Sequence, residues 1–197
     1  MTKFVSRAGL KLDHALATFK LDVIELTCAD LGCNVGGFVD CLLRRGAAKV
    51  YAIDTGYGVL DYRLRKDPRV VVMERTNAMH ATLPEEVALV TIDVAWTKQR
   101  HILPSARKLV RADGHVITLI KPHYEADASM LRGGVLLESE LERVVENVTF
   151  DIRAAGFDLI AETTSPIKGG KGNVEVLALL NPAMVASSDA VADRPTD

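Results

Sequence analysis

Residues 26–38 read Leu-Thr-Cys-Ala-Asp-Leu-Gly-Cys-Asn-Val-Gly-Gly-Phe, a short apolar run ending in Asp30-Leu31 and then a glycine-rich turn. The turn leads into FVDCLLRRG (38–46), an amphipathic stretch halted by Gly46. Strand, glycine turn and helix in that order open an α/β sheet, in which ligands bind beyond the carboxyl ends of the strands. The spacing D-x-G-x-x-x-G-G is not the dinucleotide pattern G-x-G-x-x-G, and it lacks the Lys-Ser/Thr pair of a P-loop. An acid at its head would repel a pyrophosphate and suits a cation, such as the amino or sulfonium group of S-adenosylmethionine. Taken alone, the glycines could serve only a tight turn capped by Asp30. The following strands tip the reading toward a cofactor. One ends in Asp54, placed to accept hydrogen bonds from ribose hydroxyls, and the next in Glu74-Arg75-Thr76-Asn77, where Asn77 can meet an adenine edge. The cofactor set is therefore Asp30, Gly32, Cys33, Asn34, Gly36, Gly37, Phe38, Asp54 and Asn77, joined by Asp93 from the fourth strand.

The same rhythm continues outward. KVYAID (49–54), VVVME (70–74), ALVTIDV (88–94) and HVITLIK (115–121) are short apolar or β-branched runs, as expected of strands covered on both faces. Helical stretches lie near 59–66, at 98–110 before an Asp113-Gly114 turn, and from about Leu137 to Ala155. DLIAETT (158–164) and NVEVLALL (173–180) are joined by SPIKGGKG, too short for a crossover helix, so they should be antiparallel neighbours. At the other end Leu12, Ala15, Leu16 and Phe19 recur at helical spacing behind Ser6, which suits an N-cap. This helix is basic, with Lys3, Arg7, Lys11 and Lys20 against Asp13 alone in residues 1–20. The expectation is an α/β, Rossmann-like, mostly parallel seven-stranded sheet with an antiparallel last strand and helices on both faces. It occupies one domain, 1–180, and residues 181–197, small and polar, read as a disordered tail.

Charged residues interrupt three otherwise apolar strands: Asp93, Lys121 in LIKPHYE, and Glu175 in NVEVLALL. Burying charge is costly unless it is paired or used. Together with Lys11 they make two lysines and two acids, a set suited to deprotonating a poor acid or stabilising an alkoxide. A structural Lys121–Glu175 ion pair is the plainer alternative. Trp96 and Tyr124 follow polar strand ends and offer faces for stacking on a base, while Lys3, Arg7, Lys168 and Lys171 offer phosphate contacts. The five histidines show no ligand spacing, so no metal is expected, and Cys33 reads as a packing residue.

Composition narrows the class. At 197 residues the chain suits a single domain, and 24 basic against 26 acidic residues leave no global basic field. An RNA partner would therefore be held by a local patch. No apolar run approaches the roughly 18 residues of a membrane span. Cys28, Cys33 and Cys41 form neither a CxxC pair nor a disulfide framework, which suits a reducing cytoplasm.

The segments SRAGLKLDHAL, DLGCNVGGFVDCLLRRGAAKVYAIDTGYGVLDYRLRKDPRVVVMERTNA, TIDVAW, LIKPHYE and SPIKGGKGNVEVL together resemble the hemolysin-A-like (TlyA-like) rRNA methyltransferases. That group lies within the FtsJ-like ribose 2′-O-methyltransferase superfamily, and the resemblance covers roughly residues 3–180. It implies a Rossmann-like methyltransferase sheet, S-adenosylmethionine as donor, rRNA or a ribosomal subunit as acceptor, and a Lys-Asp-Lys-Glu tetrad. The tetrad falls on Lys11, Asp93, Lys121 and Glu175, with Lys121 activating the ribose 2′-hydroxyl. Three features differ from the group. Full-length members carry an N-terminal S4-type RNA-binding module, whereas here the motif begins at once, so substrate capture would fall to a separate partner. Cys33-Asn34-Val35 and Ala95-Trp96 replace the small residues and the Ser-Phe usual there, and 126–137 also differs, as a substrate lid would. Two alternatives remain: methylation of another RNA or a small hydroxylated acceptor, and a non-catalytic S-adenosylmethionine-binding module acting through partners. The presence of all four tetrad residues counts against the second.

Overall fold

The computed structural model describes residues 3–184. Its main sheet has seven strands: β1 (Thr27–Leu31), β2 (Lys49–Ile53), β3 (Val70–Met73), β4 (Val87–Ile92), β5 (Val110–Ile120), β8 (Phe157–Thr164) and β9 (Val176–Pro182). They lie in the order β3-β2-β1-β4-β5-β9-β8. β3, β2, β1, β4 and β5 are mutually parallel, while β9 runs antiparallel to both β5 and β8. The one reversed strand is thus the last in sequence, slotted between the fifth and eighth. A separate two-stranded hairpin is formed by β6 (Leu131–Arg132) and β7 (Val135–Leu136).

Burial explains which strands take the centre. All six residues of β4 are buried, as are four of the five in β1, so neither has a polar face to show to water. Helices α1 (Ala8–Thr18) and α2 (Gly37–Arg44) cover one face of the sheet, where Leu12, Leu16, Phe38 and Leu42 meet Ile117, Leu119 and Leu177. On the other face α4 (Gln99–Leu109) and α6 (Leu141–Ala154) bring Ile102, Leu103 and Ile152 onto Leu31, Val90 and Ile92. Fully burying one such side chain contributes about 1.5–3 kcal/mol, so the two layers hold the sheet from both sides. Two shorter helices, α3 (Tyr62–Lys66) and α5 (Pro122–Glu125), follow β2 and β5. Among the described residues no helix is long and apolar enough to cross a membrane.

Several local expectations need correction. α1 starts after Arg7 with no side-chain cap, because Ser6 is drawn against Gly37 of α2 instead; a Cβ on Gly37 would lie 2.3 Å from the Ser6 hydroxyl. The Asp113-Gly114 turn does not exist: α4 passes directly into β5, and both residues sit within that strand at a register shift opposite Val87 and Leu89. A Cβ on Gly114 would come 2.8 Å from the Ala88 carbonyl, so the glycine permits the bulge without a turn. α6 begins at Leu141, after a short 3-10 turn over Glu138–Glu140. β9 begins at Val176, which leaves Glu175 at its foot rather than within it. It continues through Asn181 and Pro182, paired to Asp158 and Phe157, past the expected end of the folded part. The remainder of the expected tail, 185–197, lies outside the described residues.

Candidate active site

Chain order reverses between β1 and β4: β2 and β3 extend the sheet to one side of β1, and β4 and β5 to the other. The carboxyl ends of β1 and β4 therefore frame a crevice. Gly32 closes its floor. At φ +85° it adopts a conformation costly for other residues, and a Cβ there would lie 2.8 Å from the Asp93 carbonyl oxygen. Two adjoining clefts open above it, of about 430 and 390 Å³, and they share Gly32, Asn34, Asp93 and Ala95.

In the larger cleft two ion pairs meet from four elements. Lys121, just beyond β5, pairs through Nζ with Asp93 Oδ1 at 2.6 Å and donates to the Val94 carbonyl at 3.0 Å. Lys11 of α1 pairs with Glu175 at the foot of β9. All four side chains are four-fifths or more buried. The expected alternative, Lys121 with Glu175, does not form. Leu12 turns into the core, and the neighbouring Lys11 is thereby carried to Glu175, leaving Lys121 to the acid on the adjacent parallel strand. The turn bearing Lys121 is clamped to α4: Glu125 accepts from the Gln99 backbone N–H at 2.9 Å, and Lys98 donates to the Glu125 carbonyl at 2.8 Å. The Gln99 side chain in turn accepts from Thr118 of β5 at 2.8 Å.

Asp30 lines the same cleft and is 1% exposed. The Thr91 hydroxyl donates to its Oδ1 at 2.8 Å, while Oδ2 has no hydrogen-bond partner. Burial pushes this carboxyl up to about 8, the Thr91 hydrogen bond opposes the rise, and the nearby Asp93 and Asp54 carboxylates add to it. Asp54, beyond β2, accepts from the backbone N–H of Asn34 at 2.9 Å and of Gly56 at 2.7 Å. Asn77 lines the smaller cleft, its side-chain oxygen capping a short turn at the Met79 N–H.

The other expected residues divide clearly. Cys33, Gly37 and Phe38 line the larger cleft; the Cys33 thiol is pushed up by burial and by Asp30, as befits an unreactive packing residue. Gly36 faces away, its α-carbon turned toward Leu60 and Leu64 beneath the loop, so its part is to let the chain pass over them. Arg7 and Lys168 line the larger cleft, and Trp96, 80% exposed, lines the smaller. Lys3 instead pairs with Asp13 on the outer side of α1. Tyr124 packs on His123 with centroids 4.1 Å apart, and the Lys171 ammonium is engaged by the Gly133 carbonyl at 2.8 Å. Residues given no site role in the sequence also line the clefts: Ser6, Ile167 and Gly169 in one, Thr76 and Met79 in the other. Their side-chain types carry no signal of their own; chain crossings bring them in.

Residues 4–181 match the family described as FtsJ-like methyltransferase. The chain belongs to that family. It is 41% identical over 182 residues to hemolysin A of Brachyspira hyodysenteriae, covering 89% of this chain and 76% of that one. It is 39% identical over 178 residues to the 16S/23S rRNA (cytidine-2′-O)-methyltransferase TlyA of Mycobacterium tuberculosis, covering 87% of this chain and 66% of the relative. Among solved structures, one from Streptococcus thermophilus, described as a hemolysin, superposes with a TM-score of 0.88 at 39% identity. That match covers 93% of this chain and 68% of the other. The chain thus spans about two-thirds to three-quarters of the length of these relatives. An FtsJ-like methyltransferase takes its methyl group from S-adenosylmethionine, and the mostly parallel seven-stranded sheet with its antiparallel last strand is the Rossmann-like methyltransferase fold.

Proposed function

We propose that this protein methylates the 2′-hydroxyl of a ribose in ribosomal RNA. The observation that carries the reading is the meeting of the Lys121–Asp93 and Lys11–Glu175 pairs beside a buried, half-satisfied Asp30. The residues present fit the cofactor. The unpartnered Asp30 Oδ2 calls for a donor that ionises it, which the amino-acid end of S-adenosylmethionine supplies. Asp54 would hold the ribose hydroxyls and Asn77 the adenine edge, while Gly32, Cys33, Asn34, Gly37 and Phe38 shape the wall. When bound, S-adenosylmethionine provides an electrophilic methyl group on sulfur.

The chain's own residues handle the acceptor. Lys121 Nζ is the group placed to activate the 2′-hydroxyl: having yielded a proton of its own to solvent, it would take the hydroxyl proton as the oxygen–methyl bond forms and the methyl–sulfur bond breaks. Asp93 and the Val94 carbonyl fix the direction of that nitrogen. Lys11, held by Glu175, places a positive charge where the alkoxide develops, and the buried setting strengthens its effect. Arg7, Trp96 and Lys168 at the rims suit an RNA strand, the cations for phosphate and the exposed indole for a base. A cytoplasmic site of action completes the proposal.

The test is transfer of labelled methyl from S-adenosylmethionine to ribosomal subunits and to bulk RNA, followed by nucleoside analysis. A labelled 2′-O-methylnucleoside in rRNA is expected. Bound cofactor with no label in any ribosomal RNA would overturn the acceptor assignment, and label on a base would overturn the 2′-hydroxyl.

A further inference from the structure

Two segments are joined in a way that the chemistry above does not use: the β6–β7 hairpin and the loop 165–172, whose residues 167–170 line the acceptor cleft. Each is rich in glycine, yet they are joined by side chains. Asn173 is 3% exposed and lies between them. Its amide nitrogen donates to the Gly134 carbonyl and to the Gly170 carbonyl, both at 3.0 Å, and its amide oxygen accepts from the Leu136 N–H at 3.1 Å. Its backbone carbonyl accepts from the Gly169 N–H at 2.9 Å. Lys171, at φ +56°, crosses to the Gly133 carbonyl and adds a second stitch. The loop so held lies directly on the catalytic pair: a Cβ on Gly169 would fall 2.3 Å from Glu175 Oε1, so the glycine rests against the carboxylate whose other oxygen meets Lys11. A side chain that satisfies three backbone groups of two loops while buried fixes those loops to one another, since freeing it would strand buried donors and acceptors.

We propose that Asn173 is a positioning residue that ties the hairpin Leu131–Leu136 to the Lys11–Glu175 pair, so that an acceptor strand resting on the hairpin is felt at the carboxylate. The loop then forms one wall of the acceptor cleft, and the hairpin braces that wall through Asn173 and Lys171. This rests on the RNA-methylation reading for its effect on catalysis, though the mechanical link does not.

The experiment uses the full chain with ribosomal subunits as acceptor and compares it with Asn173→Ala and Asn173→Asp. The aspartate keeps the volume and the oxygen facing Leu136 but removes both amide donors, and so serves if the alanine variant fails to fold. Expected are a kcat at least tenfold lower, a displaced pH profile of kcat, S-adenosylmethionine affinity within twofold of the parent, and faster hydrogen exchange at the Leu136 amide. An unchanged kcat and pH profile alongside faster exchange would make Asn173 merely structural and overturn the proposal. An equal fall in cofactor affinity and kcat would overturn it as well. A second arm needs no activity: Glu175→Ala empties the space under Gly169 and should itself speed exchange at Leu136, because coupling is reciprocal. No change there refutes the link whether or not the parent methylates RNA, whereas an inactive parent with the exchange response intact refutes only the acceptor assignment.

Discussion

Asp30 offers a prediction that can be worked through in numbers. Its carboxyl stands at about 8, against 3.8 for an ordinary aspartic acid, because burial disfavours the anion and Asp93 and Asp54 repel it. Below pH 8 the free protein therefore holds it protonated. Pairing with the cofactor's ammonium requires the anion, so binding must release a proton. The apparent affinity for S-adenosylmethionine then falls about tenfold for each pH unit below 8, or about 1.4 kcal/mol per unit. It should be about tenfold below its plateau at pH 7 and about a hundredfold below at pH 6. Titration calorimetry between pH 5.5 and 6.5, well below the range in which the ligand's own α-amino group titrates, measures both terms. Repeating it in buffers of different ionisation enthalpy should count nearly one proton released at pH 6. Asp30→Asn should bind with no such slope and should be weaker at pH 7.5 by about 1.5–3 kcal/mol, the worth of a hydrogen bond to a charged group. Stability carries the opposite signature. The folded carboxyl is raised above its unfolded value, so the fold loses stability as pH climbs from about 3.8 to about 8. The asparagine variant should be free of that loss. Flat affinity and no proton release in the parent would show that Asp30 is already ionised in the free protein, and would refute this reasoning.

Three further outcomes follow from the same geometry. Lys121→Ala should lower methyl transfer by about 10²–10⁴-fold in single-turnover assays while leaving cofactor affinity within a few-fold; equal activity would remove it as the base. Asp54→Ala should weaken cofactor binding by about 1–3 kcal/mol in calorimetry, having lost its bonds to the Asn34 and Gly56 N–H groups as well as its reach toward ribose. An unchanged Kd would sink that role. Leu12→Ala, at a fully buried position beside Lys11, should cost about 2–5 kcal/mol in urea denaturation, and an effect below 1 kcal/mol would contradict the packing described for α1.

Much of this molecule is local information. The apolar runs of β1 and β4, the glycine turn after Asp30 and the short link between β8 and β9 each dictate their structure through nearest-neighbour chemistry, and all three are legible from residue order. Asp93, Lys121 and Glu175 stand out because a charge in an apolar strand is costly without a partner. Which partners they take is a different kind of fact. Lys121 meets Asp93 because β4 and β5 are adjacent and parallel, and Lys11 meets Glu175 because α1 lies across the face that β9 enters. No spacing in the chain encodes distances between residues 164 positions apart. The bulge that absorbs Asp113-Gly114, the turn of Gly36 toward Leu60 and Leu64, and the late start of β9 were likewise settled by neighbours far away in sequence. The residues alone determined the order of elements and the chemical types at the crevice. Only tertiary packing decided which of those charges pair, and left one oxygen of Asp30 without a partner.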